Sequence, residues 1–234
     1  MQESDADKGA GARGTALELR ATNERGAALG LRAGDQVVAI DGTPLTGGTA
    51  ELTADLAPGR GPRALGVRRG DATFPVLADT SDLGRWVAIP APEGLQPRAL
   101  DPDTLCNWEL FRDARGRYDL QPLTPSLWAL VATPLWLAHN RLWTPLAVHL
   151  SATVSALPVG VLPACAVYAL GSVYVWRAAR MLFRVARQSE GMQPFALVAA
   201  SAAREAHALC ATLAPDLRHV DASPAPAEPA AIGR

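Results

Sequence analysis

Lysine occurs once in this chain, at Lys8, so arginine carries nearly all of the positive charge. The net charge is −1, which excludes a general electrostatic attraction to nucleic acid. Cysteine is also scarce. Cys106, Cys165 and Cys210 are odd in number and far apart. They form neither a metal-ligand spacing nor a disulfide framework, and a reducing compartment is the simpler reading. The signatures of common enzyme chemistry are missing: His-Glu-x-x-His, Gly-x-Ser-x-Gly, a phosphate loop and a dinucleotide fingerprint. No catalytic residue, cofactor or metal is therefore expected. His207 and Cys210 stand three apart, but a metal would need two further ligands, and no partners are evident. The opening "MQESDADKGAGARGT" has no basic start and no apolar core, so it predicts no secretory signal and a cytoplasmic placement for the residues directly after it. Residues 1–14 and 215–234 read as disordered. One last absence is long. From Leu142 to Trp176 there is no formal charge unless His149 is protonated.

What is present falls into two unlike halves. In the first, Thr15–Thr22 reads as a strand, with Leu17 and Leu19 on one face by the two-residue period. "GAALGL" supplies one helical turn, and "RAGD" a turn at Gly34-Asp35. "QVVAI" is a short buried strand, and Asp41-Gly42 is a tight-turn signal before "TPL". "TAELTADL" predicts a helix with Leu52 and Leu56 on one face. "RALGVR" and "TFPVLAD" are strands flanking Arg69-Gly70-Asp71, which acts as a hairpin turn.

The stretch "AALGLRAGDQVVAIDGTPL", the Leu52/Leu56 helix and "VRRGDATFPV" resemble a bacterial PDZ domain of the protease and secretion-protein type. The resemblance covers residues 15–79. It implies an α+β PDZ-like fold and an extended peptide added as a strand beside Leu17 and Leu19, against Leu52 and Leu56. In peptide-binding members a glycine-containing loop holds the ligand's carboxylate. Here "GAGARGT" lacks the hydrophobic residues that flank those glycines.

Residues 80–122 read as a linker, with Trp86, Val87 and Ile89 as a small apolar patch. Within it Leu105–Tyr118 is amphipathic, and either lies on a membrane surface or serves as a soluble connector. Residues 123–190 read as an all-α membrane region. A single span needs about 20 residues and two need about 40, or fewer near the short limit of about 17, so by length the uncharged run fits one long helix or a tight pair; its punctuation favours the pair. Pro158, Gly160 and Pro163 place the break at "LPVGVLP". Arg112, Arg115, Arg117 and Arg141 precede the run, and Arg177, Arg180, Arg184 and Arg187 follow it. Both ends therefore favour the cytoplasm, which a short transmembrane hairpin satisfies. Trp143 and Trp176 fall at its cytoplasmic ends, and Ala152, Ser155, Ala166 and Gly171 permit close helix packing.

Leu123–Ala138 holds Pro125 and Pro134, and reads as a shallow, re-entrant or interfacial helix. The pattern of Trp128, Pro134, Leu135, Trp136, Arg141 and Trp143 weakly resembles small bacterial inner-membrane proteins of unknown function. His149 lies inside the first proposed span and is read as structural. It has no orienting carboxylate that would make a protease of His149 with Ser151 or Ser155. Residues 191–214 read as a helix.

The sequence therefore leads to a multi-pass inner-membrane protein with its PDZ-like domain and C-terminus in the cytoplasm. It would be non-catalytic and recruit a protein or peptide partner, with membrane lipids around the hairpin and homo-oligomerisation through it. The alternative is a structural or accessory subunit of a membrane complex whose PDZ-like unit binds no peptide.

Overall fold

A computed structural model describes residues 14–92, 94, 98–124 and 126–222. The expected disordered N-terminal segment, most of the "GAGARGT" stretch and the last residues of the tail lie outside these. So does Pro125.

The N-terminal part is β-rich. β1 (Thr15–Thr22), β2 (Gln36–Ile40), β4 (Arg63–Arg69), β5 (Ala72–Ala78) and β6 (Gly84–Pro90) form one sheet in the order β5-β4-β2-β1-β6, and the short β3 (Thr43–Pro44) pairs with β2. Two helices complete it, α1 (Glu24–Ala28) and α2 (Gly48–Asp55). Every strand and helix read from residues 15–79 is found close to its expected place, the largest displacement being that of α1, which ends at Ala28 where "GAALGL" runs to Leu31. The local chemistry explains why. Asp41 and Gly42 both take positive φ, 51° and 82°, the conformation of a primed two-residue turn. Asp41 Oδ1 accepts the Ala64 N–H at 2.8 Å, which ties this turn to β4.

Asp35 of the "RAGD" turn is buried, and three donors satisfy its carboxylate. Arg69 approaches with Nε at 2.8 Å and Nη2 at 2.7 Å, and the Arg32 N–H comes to 2.8 Å. A buried carboxylate is tolerated only when it is paired in this way.

Residues 80–122 are not a linker. Gly84–Pro90 pairs antiparallel with β1 along its length. Cys106–Arg112 and Arg117–Pro122 form β7 and β8. The amphipathic Leu105–Tyr118 segment, expected to lie on a membrane surface or to serve as a connector, is thus part of a β-hairpin. Asp113 closes it by accepting the Arg115 and Arg117 N–H groups with Oδ1, and Gly116 supplies a positive φ of 74°. Residues 191–214 also divide: β9 (Gln193–Ala200) precedes α7 (Ala203–Leu213). The second sheet runs β10-β8-β7-β9, with β10 being Arg218–His219. Alanine-rich β9 carries no alternation because its last five residues are all buried, and without alternation a strand cannot be told from a helix. The two sheets share one core that joins Leu17, Leu65 and Phe74 to Leu110, Val198 and Cys210.

The C-terminal half is largely helical. α3 (Trp128–Val131) and α4 (Thr133–His139) precede α5 (Trp143–Ala156) and α6 (Val161–Ser189). A 3-10 turn at Leu157–Val159 and Gly160, whose φ is 139°, separates α5 from α6. Among the described residues α6 is the one helix long and apolar enough to cross a membrane.

Candidate functional site

The four leucines expected to line a peptide groove, Leu17, Leu19, Leu52 and Leu56, are brought together, but as core. Each is at most 2% exposed. Both edges of β1 are occupied, one by β2 and the other by β6. The strand position that a ligand was expected to take beside Leu17 and Leu19 is therefore held by the chain itself.

That rearrangement moves the open edge outward by one strand. At the far end of the first sheet the edge of β5 is closed. The Asn107 carboxamide accepts the Leu77 N–H through Oδ1 and donates from Nδ2 to Leu77 O, each at 2.9 Å. At the other end, among the described residues, β6 pairs with β1 alone, and α2 lies beside both strands.

The ladder phase follows from the Ala91 N–H, which donates to Gly14 O at 2.7 Å. Hydrogen-bonded and non-hydrogen-bonded pairs alternate in an antiparallel ladder. The Ala16/Ile89 and Glu18/Val87 pairs are thus bonded. The N–H and C=O groups of Trp86 and Ala88 point away from β1. Ala88 stands opposite Leu17, on the face that packs under α2, and is exposed. Next to it the Trp86 indole N–H is buried with no hydrogen-bond partner among the described residues. Pro90 ends the edge without an amide hydrogen, as prolines on edge strands do. α2 is held by Glu51, whose carboxylate accepts the N–H groups of Thr46 at 2.8 Å and of Gly47. The Gly47 amide, foremost, holds the Glu51 carboxyl below its usual range.

Sequence reasoning singled out Trp86 and its neighbours only as a patch. The signal for a strand was the run of aromatic and β-branched residues in "GRWVAIP", between Gly84 and Pro90.

A second constellation lies where β8, α7 and β10 meet. Tyr118 Oη lies 2.9 Å from His207 Nδ1, and the His207 and His219 rings meet edge to face at 4.7 Å. Asp119 pairs with Arg187 at 2.7 Å and lies 3.8 Å from His219 Nε2. Burial, then the neighbouring His219, pushes the His207 pKa down. Burial pushes the Tyr118 hydroxyl up and the Cys210 thiol up to about 11. Cys210 is fully buried. Among the described residues no group of three His, Cys, Asp or Glu side chains could hold a metal ion.

The third feature is the apolar exterior of the helices. Trp128, Leu135, Val159 and Leu162 are 68%, 74%, 77% and 84% exposed. Inside the helix pair, His149 is buried against Gly171. A Cβ at Gly171 would lie 2.7 Å from His149 Nδ1, so glycine is what permits this approach. The His149 and Tyr168 rings meet edge to face at 5.1 Å.

The fold thus defines a β-rich module, whose first sheet leaves the β6 edge without a strand partner among the described residues, continuous with an apolar helical half. Comparison with protein-family models, with curated proteins and with solved structures gave no match for this chain.

Proposed function

We propose that this is a membrane-anchored, non-catalytic recognition protein of the bacterial inner membrane, in which a PDZ-like module on the cytoplasmic side takes up an extended segment of another protein. The observation that carries this reading is the unequal treatment of the first sheet's two edges. Asn107 caps β5, whereas β6 leaves the backbone groups of Trp86 and Ala88 unpaired beside α2 among the described residues. An extended peptide would pair with that edge, supply the missing ladder bonds and place alternate side chains over Ala88. The resemblance of residues 15–79 to PDZ domains supports the same mode. The exposed apolar helices supply the anchor.

A structural or accessory subunit of a membrane complex is the second reading. It is favoured by the complete burial of Leu17, Leu19, Leu52 and Leu56. An array of peptides probed with the full-length protein in detergent separates the two. Recognition predicts binding that Ala88→Lys abolishes while thermal stability is kept, because Ala88 is exposed. Absence of binding, or binding indifferent to Ala88→Lys, leaves the accessory role.

A further inference from the structure

We infer that the α5–α6 helix pair enters and leaves the bilayer by the same face, with its tip held in the hydrocarbon. The pair would not cross the membrane. This rests on the membrane reading above and replaces the transmembrane hairpin with a re-entrant wedge.

Along its length α6 is divided between two environments. The C-terminal half carries Arg180, Arg184 and Arg187, and all three are engaged by the β-rich body. Arg184 Nε lies 2.9 and 3.0 Å from the two oxygens of buried Glu109 on β7, and its Nη2 joins the same pair. Arg187 pairs with Asp119 on β8. Arg180 donates to Ala28 O at 3.3 Å. This half of the helix is committed to the sheets and cannot also lie in lipid. What remains apolar is Val161–Trp176, about 24 Å at the helical rise. α5, its partner, has 14 residues, or about 21 Å. The hydrocarbon core is about 30 Å thick, so neither helix reaches the far headgroups from a base on the near side.

The register of the pair locates that base. The short turn at Leu157–Gly160 joins α5 to α6, and His149 of α5 meets Gly171 and Tyr168 of α6, so the two helices run antiparallel and Trp143 falls near the level of Trp176. Arg141 lies just before Trp143 and Arg177 just after Trp176. The tryptophans and arginines therefore form one girdle at one end.

The opposite end has no such girdle. The tip is "LPVGVLP", without a charged or polar side chain, and it carries Leu162 and Val159, whose exposures of 84% and 77% are the two highest among the exposed large apolar side chains of the described residues. A loop that emerged on the far side would put these side chains among headgroups and water, the environment they most disfavour. Each unpaired backbone donor is costly in hydrocarbon, and the composition of the tip reduces their number. Pro158 and Pro163 have no amide hydrogen, and the Gly160 N–H donates to Leu157 O at 3.0 Å.

α3 and α4 repeat the arrangement at smaller depth. Their turn reaches α6 halfway along the pair, where Tyr168 Oη donates to Val131 O at 3.4 Å. α4 then returns toward Arg141 at the girdle.

The test uses the full-length chain in everted and right-side-out membrane vesicles. It carries Val159→Cys at the tip in a Cys165→Ala background, with Gln188→Cys in the same background as the girdle-side control. The probe is a membrane-impermeant sulfonated maleimide, with labelling counted above that of Cys165→Ala alone. The expected result is labelling of Gln188→Cys from one face only. Val159→Cys should stay unlabelled from both faces and become labelled once detergent dissolves the bilayer. Labelling of Val159→Cys from the face opposite to Gln188→Cys would show a crossing hairpin, overturning the inference while leaving the membrane anchor intact. Protection that persists in detergent would mean that another protein surface covers the tip, which also overturns it. Recovery of the protein in the soluble fraction would overturn this inference together with the membrane reading beneath it.

Discussion

Asn107 hydrogen-bonds both backbone groups of Leu77, serving as a one-residue strand on the edge of β5. Replacing it with leucine leaves a part-buried N–H and C=O without partners. Asn107→Leu should cost about 1–3 kcal/mol, lowering the midpoint by several degrees in a thermal melt of the full chain. The same variant should also become prone to self-association through the uncovered edge, measurable by light scattering.

The Glu109–Arg184 pair joins β7 to α6. Removing Arg184 alone strands a carboxylate in the interior, so Arg184→Met should destabilise by about 3 kcal/mol, whereas the double variant Arg184→Met/Glu109→Leu should recover most of the loss. A double-mutant cycle by thermal unfolding in detergent reads the difference. Equal losses in the single and double variants would mean that the pair does not hold α6 to the sheet.

His207 confers a pH dependence whose sign is fixed by its environment. Its pKa is lowered from 6.5 by burial and by His219, so the unfolded chain binds the proton more readily than the folded one. Stability is then fully present above pH 6.5 and is lost as pH falls through that value toward the lower folded pKa. Thermal midpoints measured between pH 8 and pH 5 should decline below about pH 6.5, and His207→Gln should flatten that part of the decline. Carboxylate titration, which begins lower, is unaffected by the substitution.

The thiols should differ sharply in reactivity. Burial lifts Cys210 to about 11, so at pH 7.5 it presents almost no thiolate. In detergent, Cys165, which is exposed, should react with a maleimide at once, and Cys210 only after unfolding. Mass spectrometry of a time course distinguishes them.

Gly171 sets the spacing of the helix pair. Gly171→Val should splay α5 from α6 and lower the thermal midpoint, because its side chain takes space now filled by the His149 ring. His149→Ala placed with Gly171→Ala should be better tolerated than Gly171→Ala alone, since the shortened partner makes room for the methyl group.

The legible part of this fold is the part written in turn chemistry. Gly34-Asp35, Asp41-Gly42 and the Arg69–Asp71 hairpin fix local conformation through residues next to one another, so the strands between them can be placed from sequence. β6, β7 and β9 are not legible in the same way because their pairing is not local. β7 finds its partner β9 across the whole helical half, and nothing near Gln193–Ala200 announces a strand. The open edge at Trp86 and Ala88 is hidden for the same reason: Leu17 and Leu19 do belong beside an extended segment, but that segment comes from the chain itself. In the helical half, Pro158, Gly160 and Pro163 mark the break correctly, whereas the extent of α6 is not visible. Its arginines read as a flank, yet they continue the helix because Glu109 and Asp119 receive them.

The pairing of β6 with β1 bears on how this protein can be cut. A fragment ending at Asp79 would retain every residue that resembles a PDZ domain and still lack a strand, leaving β1 with a bare row of backbone donors and acceptors. Such a piece would tend to capture whatever extended chain it met, including copies of itself. Peptide capture by that fragment would therefore report the vacancy left by the missing strand, and would not be a property of the whole protein.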